Sequence, residues 1–173
     1  MPNAESPVRM TITDLQDQTE VTVQFNPNEL TRRIGVNYAR KQVLGQSHQP
    51  HEYLSTGNQT IRFDLFHNAE NPTQWEEVDQ AAKFLESLCY APEDPEGISQ
   101  AAPPRVLLVW PYTLSLVTRL ISVEFKHQRW DRFGNTTQFT ASCEFEEALV
   151  RRLNKTDVYN FGPFRGAESQ GGE

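Results

Sequence analysis

The chain has 173 residues, and its 16 basic and 23 acidic side chains give a formal net charge of −7. This acidic balance argues against a protein that grips duplex nucleic acid, because such proteins need a basic face. Two cysteines are too few for a disulfide-rich scaffold or a four-thiolate zinc site. The length favours one domain that can bury a core of its own.

The N-terminal residues and the apolar runs predict neither a signal peptide nor a membrane span. Residues 1–10 lack the apolar core of a secretory signal. The longest apolar run, Val106–Trp110, stops at Pro111 and falls well short of the roughly 20 residues of a membrane helix. We therefore expect synthesis in the cytoplasm, and release from the cell only as part of a larger particle.

The first third of the chain contains strand patterns and one basic stretch without a pattern. Val8–Leu15, Glu20–Phe25 and Thr60–Phe66 are predicted strands, the last two with clear alternation of apolar and polar side chains. Between those two, Glu29–Gly57 shows no sustained period, so we predict an irregular segment that is functional or mobile. This segment gathers four basic side chains of an acidic chain: Arg32, Arg33, Arg40 and Lys41.

One helix is predicted after the third strand. Asn71 is suited to cap it, Pro72 suits the first helical position, and Gln74 has the spacing of a capping box. Apolar side chains then recur at three- and four-residue intervals from Trp75 onwards. The helix is expected to end before Pro92, because the residue preceding a proline disfavours the helical region.

The second half of the chain predicts a buried strand and a long hairpin. Val106–Trp110 is continuously apolar, which is typical of a strand buried on both faces. Two longer strands follow, and their apolar positions are odd-numbered in both. Those positions are Val117, Ile121, Val123 and Phe125 in the first strand, and Phe139, Ala141, Cys143 and Phe145 in the second.

The numbering of these faces limits the hairpin register. Directly opposed residues of an antiparallel pair lie on the same face of the sheet. Because the apolar residues are odd-numbered in both strands, the numbers of two opposed residues sum to an even value, and the loop must contain an odd number of residues. Asp131–Asn135 suits a loop of three or five residues, with Gly134 in a left-handed conformation. Trp130 and Phe133 then lie near the hairpin tip, where they meet water.

Together these elements predict a mainly β fold, a β-sandwich or partly closed barrel, with one inserted α-helix. We expect residues 1–150 to form this domain and residues 151–173 to form a polar C-terminal tail. Gly166–Glu173 is too polar to bury enough apolar surface to stay ordered alone.

No pattern of side chains requires a catalytic, cofactor or metal site. His48 and His51 beside Glu52 allow a metal-dependent hydrolase, but their surroundings favour solvated loop residues, and no further zinc ligand is indicated. Cys89 and Cys143 fall on apolar faces and are better explained as small buried side chains than as nucleophiles. We therefore expect a non-enzymatic protein without a cofactor or metal.

The remaining unusual features concern the surface. The basic stretch, the two aromatic side chains at a hairpin tip and the one-sided polar sheet face are features of an assembly protein. An ordinary monomer with a mobile loop, or a β-barrel module that binds a small ligand or carbohydrate, also fits these features.

Several stretches resemble the family of contractile-injection-system tube proteins, which includes tube initiators and adaptors of phage-tail-like particles. The most specific is Val23–Leu30, which is similar to the family signature V-Q-F-N-P-x-E. Supporting matches are Asn37-Tyr38, the strand Thr60–Phe66, the run Pro103–Trp110, and the closing hairpin with Leu120–Phe125 and Phe133–Thr136. Because the segment after Leu149 has no room for a peptidoglycan-binding LysM module, we do not expect that role.

The resemblance implies a tail-tube-like subunit, six copies of which close into a ring around a channel. It implies that the partners are further copies of the chain, a spike-bearing hub protein below and a tube protein above, with no nucleic-acid recognition and no membrane insertion. The expected subunit and ring contacts are Phe25, Asn26, Pro27, Arg32, Arg33, Tyr38, Arg40, Lys41, Trp130 and Phe133. The expected channel lining is Ser122, Glu124, Lys126, Thr136, Gln138, Thr140, Ser142 and Glu144.

Overall fold

A computed structural model of the chain describes residues 7–40, 45, 51–71, 74–92, 102–148 and 164–165. Within these residues the chain is mainly β-structure with one helix. The elements in chain order are β1 (Thr11–Asp14), β2 (Glu20–Thr22), β3 (Leu30–Arg33), β4 (Val36–Arg40), β5 (His51–Thr56), β6 (Thr60–Asn68), α1 (Trp75–Ser87), β7 (Val106–Trp110), β8 (Leu114–Trp130), β9 (Thr136–Glu147) and β10 (Phe164–Arg165).

Seven strands form one continuous antiparallel path in the order β2-β1-β7-β8-β9-β6-β3. The path is open, since in the described part of the chain no ladder joins β2 to β3. β10 adds a short parallel pairing to β8 at Ser115 and Leu116. β4 and β5 pair only with each other and form a separate hairpin. The predicted mainly β fold with one inserted helix is confirmed.

The long strand β8 lies in the middle of this path and connects its two parts. Its first residues, up to Thr118, pair with β7, and its later residues pair with β9 as far as Trp130. A register shift between Leu120 and Ser122 marks a bulge, a feature that bends a strand. We call β3, β6, β9 and Arg119–Trp130 of β8 the four-stranded half; the other half consists of β2, β1, β7 and Leu114–Thr118 of β8. Buried side chains of both halves share one core cluster, so the halves pack as a sandwich.

The bulge also corrects the predicted face of the first long strand. Before it the even-numbered residues Leu116 and Leu120 are buried; after it the odd-numbered Val123 and Phe125 pack against the core. Ile121 at the bulge is 56% exposed, so it does not share the buried face as predicted. One extra residue in a strand reverses which side chains point inward.

The predicted odd-numbered loop is confirmed. Trp130 pairs with Thr136, which leaves a turn at residues 131–135. Gly134 has a φ of +90°, the left-handed conformation that favours glycine. In pairs such as Val123 with Cys143 the two residue numbers sum to an even value, which places the odd-numbered apolar side chains of both strands on one face. We call the end of the four-stranded half that carries this turn its tip end.

The segment Glu29–Gly57 is not irregular as predicted, because β3, β4 and β5 lie within it. β3 pairs with β6, whereas the β4–β5 hairpin leaves the end of the four-stranded half opposite the tip end. Side chains of β4 and β5 are exposed on both faces, so no apolar alternation marks them in the sequence. We call this hairpin the arm; residues 41–44 and 46–50, which include Lys41 and His48, lie outside the described residues.

The helix is confirmed and packs across β6 and β9. It starts at Trp75 with Gln74 as its N-cap, three residues later than predicted from Asn71 and Pro72. The Asn71 N–H donates to Gln74 Oε1 at 3.3 Å in the turn that precedes the helix. Val78, Ala81 and Leu85 bury one face of the helix in the core. In the described residues no helix is long and apolar enough to cross a membrane.

The remaining strand predictions are confirmed with changed bounds. β1 and β2 are shorter than predicted, and β6 extends to Asn68. β7 spans Val106–Trp110 as predicted, but Leu107 and Val109 are half-buried, so only one face is fully enclosed. The two residues of β10 fall within the predicted tail, whereas Gly166–Glu173 lie outside the described residues.

Candidate assembly interface

Two amide side chains fasten residues 23–28 to both halves of the sandwich. Gln24 Nε2 donates to the Asn68 carbonyl, and the Asn68 N–H donates to Gln24 Oε1, both at 2.7 Å. Asn26 Oδ1 accepts from the Met10 N–H at 2.9 Å, and Asn26 Nδ2 donates to the Val8 carbonyl at 2.8 Å. An amide carries one donor group and one acceptor, so each side chain can bond a backbone carbonyl and a backbone N–H as a neighbouring strand would. The segment therefore closes the tip end where no ladder joins the halves.

The three predicted contact residues of this segment differ in what they present. Phe25 is 47% exposed and lies 5.7 Å from the ring of Phe66, which is 37% exposed. Asn26 is half-buried and bonded inside the subunit, and Pro27 is buried. Phe25 and Phe66 thus form an apolar surface, whereas Asn26 bonds inside the subunit and Pro27 is buried. Direct contact of all three residues with a neighbour stays a prediction.

The turn at residues 131–135 is held in one shape by Asp131. Its carboxylate accepts from the Phe133 N–H at 2.7 Å, from the Asn135 N–H at 2.9 Å and from Asn135 Nδ2 at 2.8 Å. Desolvation raises the pKa of Asp131, but the hydrogen bonds from Asn135, Phe133 and Gly134 outweigh it and lower that pKa. The turn is therefore preorganised, and its side chains project from a fixed backbone.

Large side chains in this turn and at the end of β8 beside it are exposed to solvent, as predicted. Trp130 is 59% exposed and Phe133 is 75% exposed. The guanidinium of Arg132 lies 4.7 Å above the Phe133 ring, a cation–π contact. We call Trp130, Arg132 and Phe133 the aromatic tip. Exposed aromatic and arginine side chains are the residue types most enriched at interface centres.

The polar side chains predicted to line a channel lie on the outer face of the four-stranded half. Ladders place Arg62 opposite Glu144 and Asp64 opposite Ser142, so β6 contributes polar groups to the same face. Arg62 forms an ion pair with Glu144 at 2.8 Å, and Lys126 forms one with Glu124 at 3.6 Å. The predicted members of this face are half-buried or exposed: Ser122, Glu124, Lys126, Thr136, Gln138, Thr140, Ser142 and Glu144.

The basic and aromatic residues of the segment Glu29–Gly57 separate into two groups. Arg32 and Arg33 lie on β3, where the Arg32 guanidinium donates to Gln59 Oε1 at 3.2 Å. Tyr38 lies on the arm, with its ring 6.2 Å from that of Tyr53. A further ring, that of His51, lies 6.1 Å from Tyr38, and the neighbouring Arg40 is exposed.

Charged and amide side chains line two pockets among the described residues. The larger, about 600 Å³, lies between α1 and the stretch Val21–Phe25. The smaller, about 250 Å³, lies beside Arg33 and Arg62 on the polar face. Neither is the apolar cavity that a ligand-binding barrel would need.

The titratable groups inside the fold serve packing. Burial lowers the pKa of His67 to about 4, and its ring stacks on Phe139 at 5.0 Å. Burial raises the pKa of Cys143 to about 12, which suppresses the reactive thiolate. His51 and Glu52 are exposed on β5. Within the described residues, no group of three or more His, Cys, Asp or Glu is placed to hold a metal ion.

The chain is thus a mainly β protein with one helix that exposes aromatic and basic side chains at one end of its sheet. The family model of contractile injection system tube proteins matches residues 8–155, and the chain therefore belongs to that family. Members of this family are the tube proteins of contractile injection systems. No curated protein sequence matches the chain.

Solved structures provide a likeness of fold. The chain is similar to Dit of phage SPP1, described as a hub adsorption apparatus of phages infecting Gram-positive bacteria, with a TM-score of 0.50 and 10% identity over 80% of this chain. It spans 49% of Dit, about half of that protein. A chain of the native gene transfer agent virion has a TM-score of 0.43 and 10% identity over 84% of this chain and 95% of its own length. A chain of the anti-feeding prophage baseplate has a TM-score of 0.34 and 14% identity over 89% of this chain and 98% of its own length.

Proposed function

We propose that six copies of the chain form a ring that joins the spike-bearing hub to the tail tube and starts growth of the tube. Membership of the tube-protein family supports this role. The ring would act by templating, because its fixed geometry presents strand edges and loops that the first tube ring can copy. The protein would work inside an assembled virion tail or injection particle, with hub protein on one side and tube protein on the other.

The observation that carries the ring is a pair of free strand edges. β7 leaves β8 at Thr118, and no strand in the described part of the chain pairs with that edge between Arg119 and Trp130. At the opposite side of the four-stranded half, β3 has no partner beyond β6 among the described strands. Unpaired edges are templates for another chain.

The directions of these two edges suit ring closure. The four-stranded half has an even number of antiparallel strands, so β3 and β8 run in opposite directions. When β3 of one copy lies beside β8 of the next, the pairing is again antiparallel, and every copy has the same orientation along the ring axis. Such a head-to-tail contact closes into a ring when its rotation permits.

The polar face suits the wall of a water-filled channel. Its ion pairs, Arg62 with Glu144 and Lys126 with Glu124, balance charge along the face. Six copies would carry a formal charge of −42, six times −7, which would repel an acidic cargo. The contacts proposed for neighbours are those on the free edges, the aromatic tip and the arm.

Sedimentation with the hub and tube proteins of the same particle tests this function. The chain should join a ring-shaped complex with either protein, visible by electron microscopy as a six-fold ring. A chain that stays monomeric and joins neither protein at high concentration would contradict the proposal. Bovine serum albumin, which is also acidic, serves as the control for non-specific trapping.

A further inference from the structure

The groove between α1 and the stretch Val21–Phe25 lies at the tip end of the four-stranded half. Its walls include Gln24 and Asn68, and Asn68 pairs with Gln138 close to the turn. Val21, Val78 and Ala81 supply apolar lining. At about 600 Å³, the groove has room for large side chains.

The groove and the aromatic tip have complementary properties. Glu70 and Glu77 lie in the groove wall with one basic residue, Arg9. The tip offers exposed rings together with Arg132, and exposed Arg129 directly precedes Trp130. A mixed lining of amide, carboxylate and apolar side chains, with an acidic excess, therefore suits a basic, aromatic projection.

The strand ladders bring these two surfaces to the same height in a ring. Through successive pairings, Leu30 on β3 is level with Cys143 on β9 and Val123 on β8. From that level towards the tip end, β8 continues to Trp130, and the chain before β3 runs back to Gln24. A neighbour's β3 placed beside β8 therefore puts the neighbour's groove next to the aromatic tip.

We infer that the aromatic tip of each subunit docks into the groove between α1 and Val21–Phe25 of the next copy of this chain. This inference rests on the proposed ring and names the contact that locks it. Cyclic symmetry keeps height along the ring axis, so a tip and a groove at the same end meet within one ring. They would not meet between rings stacked in the same orientation.

A reciprocal charge reversal tests the contact in the mixture with hub and tube proteins. The tip variant carries Arg129→Glu and Arg132→Glu, and the groove variant carries Glu70→Arg and Glu77→Arg. Each variant alone opposes like charges across every interface, and its apparent dissociation constant for assembly should rise at least about tenfold. In an equal mixture the two variants can alternate around a six-membered ring with opposite charges at every interface, so assembly should return to near the wild-type level.

Matched controls separate this contact from general charge effects. Arg105→Glu changes an exposed arginine outside the tip and groove, and Glu86→Arg changes an exposed glutamate elsewhere on α1. Both controls should assemble as the wild-type chain does. Unfolding of each variant by urea confirms that the subunit itself is intact.

The outcomes distinguish this contact from the proposed function. Loss with each variant and recovery in the mixture supports docking. Normal assembly of either single variant overturns docking while leaving the ring in place, and so does loss without recovery in the mixture. Failure of the wild-type chain to join hub or tube protein overturns the proposed function, and with it the docking that depends on it.

Discussion

The amide side chain of Asn26 should be a measurable source of subunit stability. Asn26→Ala removes two hydrogen bonds, from the Met10 N–H at 2.9 Å and to the Val8 carbonyl at 2.8 Å. A hydrogen bond contributes a net of about 0.5–1.5 kcal/mol, so the pair accounts for about 1–3 kcal/mol. Met10 is fully buried, and its N–H loses its partner in the variant. We expect a loss of about 2 kcal/mol, which lowers the thermal midpoint by about 4–8 °C for a chain of this size.

Urea unfolding followed by circular dichroism measures this change. Asn28→Ala is the matched control, because Asn28 is exposed two residues away and its replacement should stay within about 0.5 kcal/mol of the wild-type chain. If Asn26→Ala is equally neutral, the segment is not held by its amides and the reasoning fails.

A double-mutant cycle with Gln24→Ala tests whether the two amides act together. Gln24 fastens the same segment to Asn68, on the other half of the sandwich. Once either amide is lost, the segment can detach, and the second loss should then cost less. We expect a coupling of at least about 0.5 kcal/mol. Strictly additive losses would mean that each amide acts alone.

Three further outcomes follow from the exposed tip and the buried groups. Phe133→Ala should change subunit unfolding by no more than about 0.5 kcal/mol but weaken ring assembly; a loss of several kcal/mol would place this side chain in the core. His67 has a pKa of about 4 when folded and near 6.5 when unfolded, so the unfolded chain binds the proton first and stability should fall, by up to about 3 kcal/mol, as pH drops from 6.5 to 4. His67→Phe should flatten that slope and His127→Phe should not. Thiol reagents at pH 8 should modify half-buried Cys89 before buried Cys143, measured by mass spectrometry; equal rates would contradict the packing.

Strands with one buried face were predictable because the alternation of buried and exposed positions is visible in their sequence. In β6 and β9, side chains alternate between core and outer face, so the residue types alternate too. The arm escaped prediction for the converse reason. Both faces of β4 and β5 are exposed, so burial leaves no period in the sequence. Its pairing partner supplies the backbone bonds, and that information is not local.

The candidate site was predicted in part. The exposure of Trp130 and Phe133 followed from an odd-numbered loop, which is a consequence of strand parity. The contribution of Arg62 to the polar face depends on its position opposite Glu144, 82 residues away. The groove was not predicted, since its walls come from separate stretches of the chain that only folding brings together.

The sequence alone determined the mainly β class, the helix, the hairpin parity and the resemblance to tube proteins, because each depends on local residue types or spacing. Only the tertiary structure decided what the signature residues do. Gln24 and Asn26 bind backbone groups 44 and 16–18 residues away, and so close the sandwich in place of a ladder. The bulge before Ser122, and the edges of β3 and β8 with which no described strand pairs, likewise depend on which strands pair. Pairing over such separations is fixed by the packing of the whole core, which no short stretch of sequence contains.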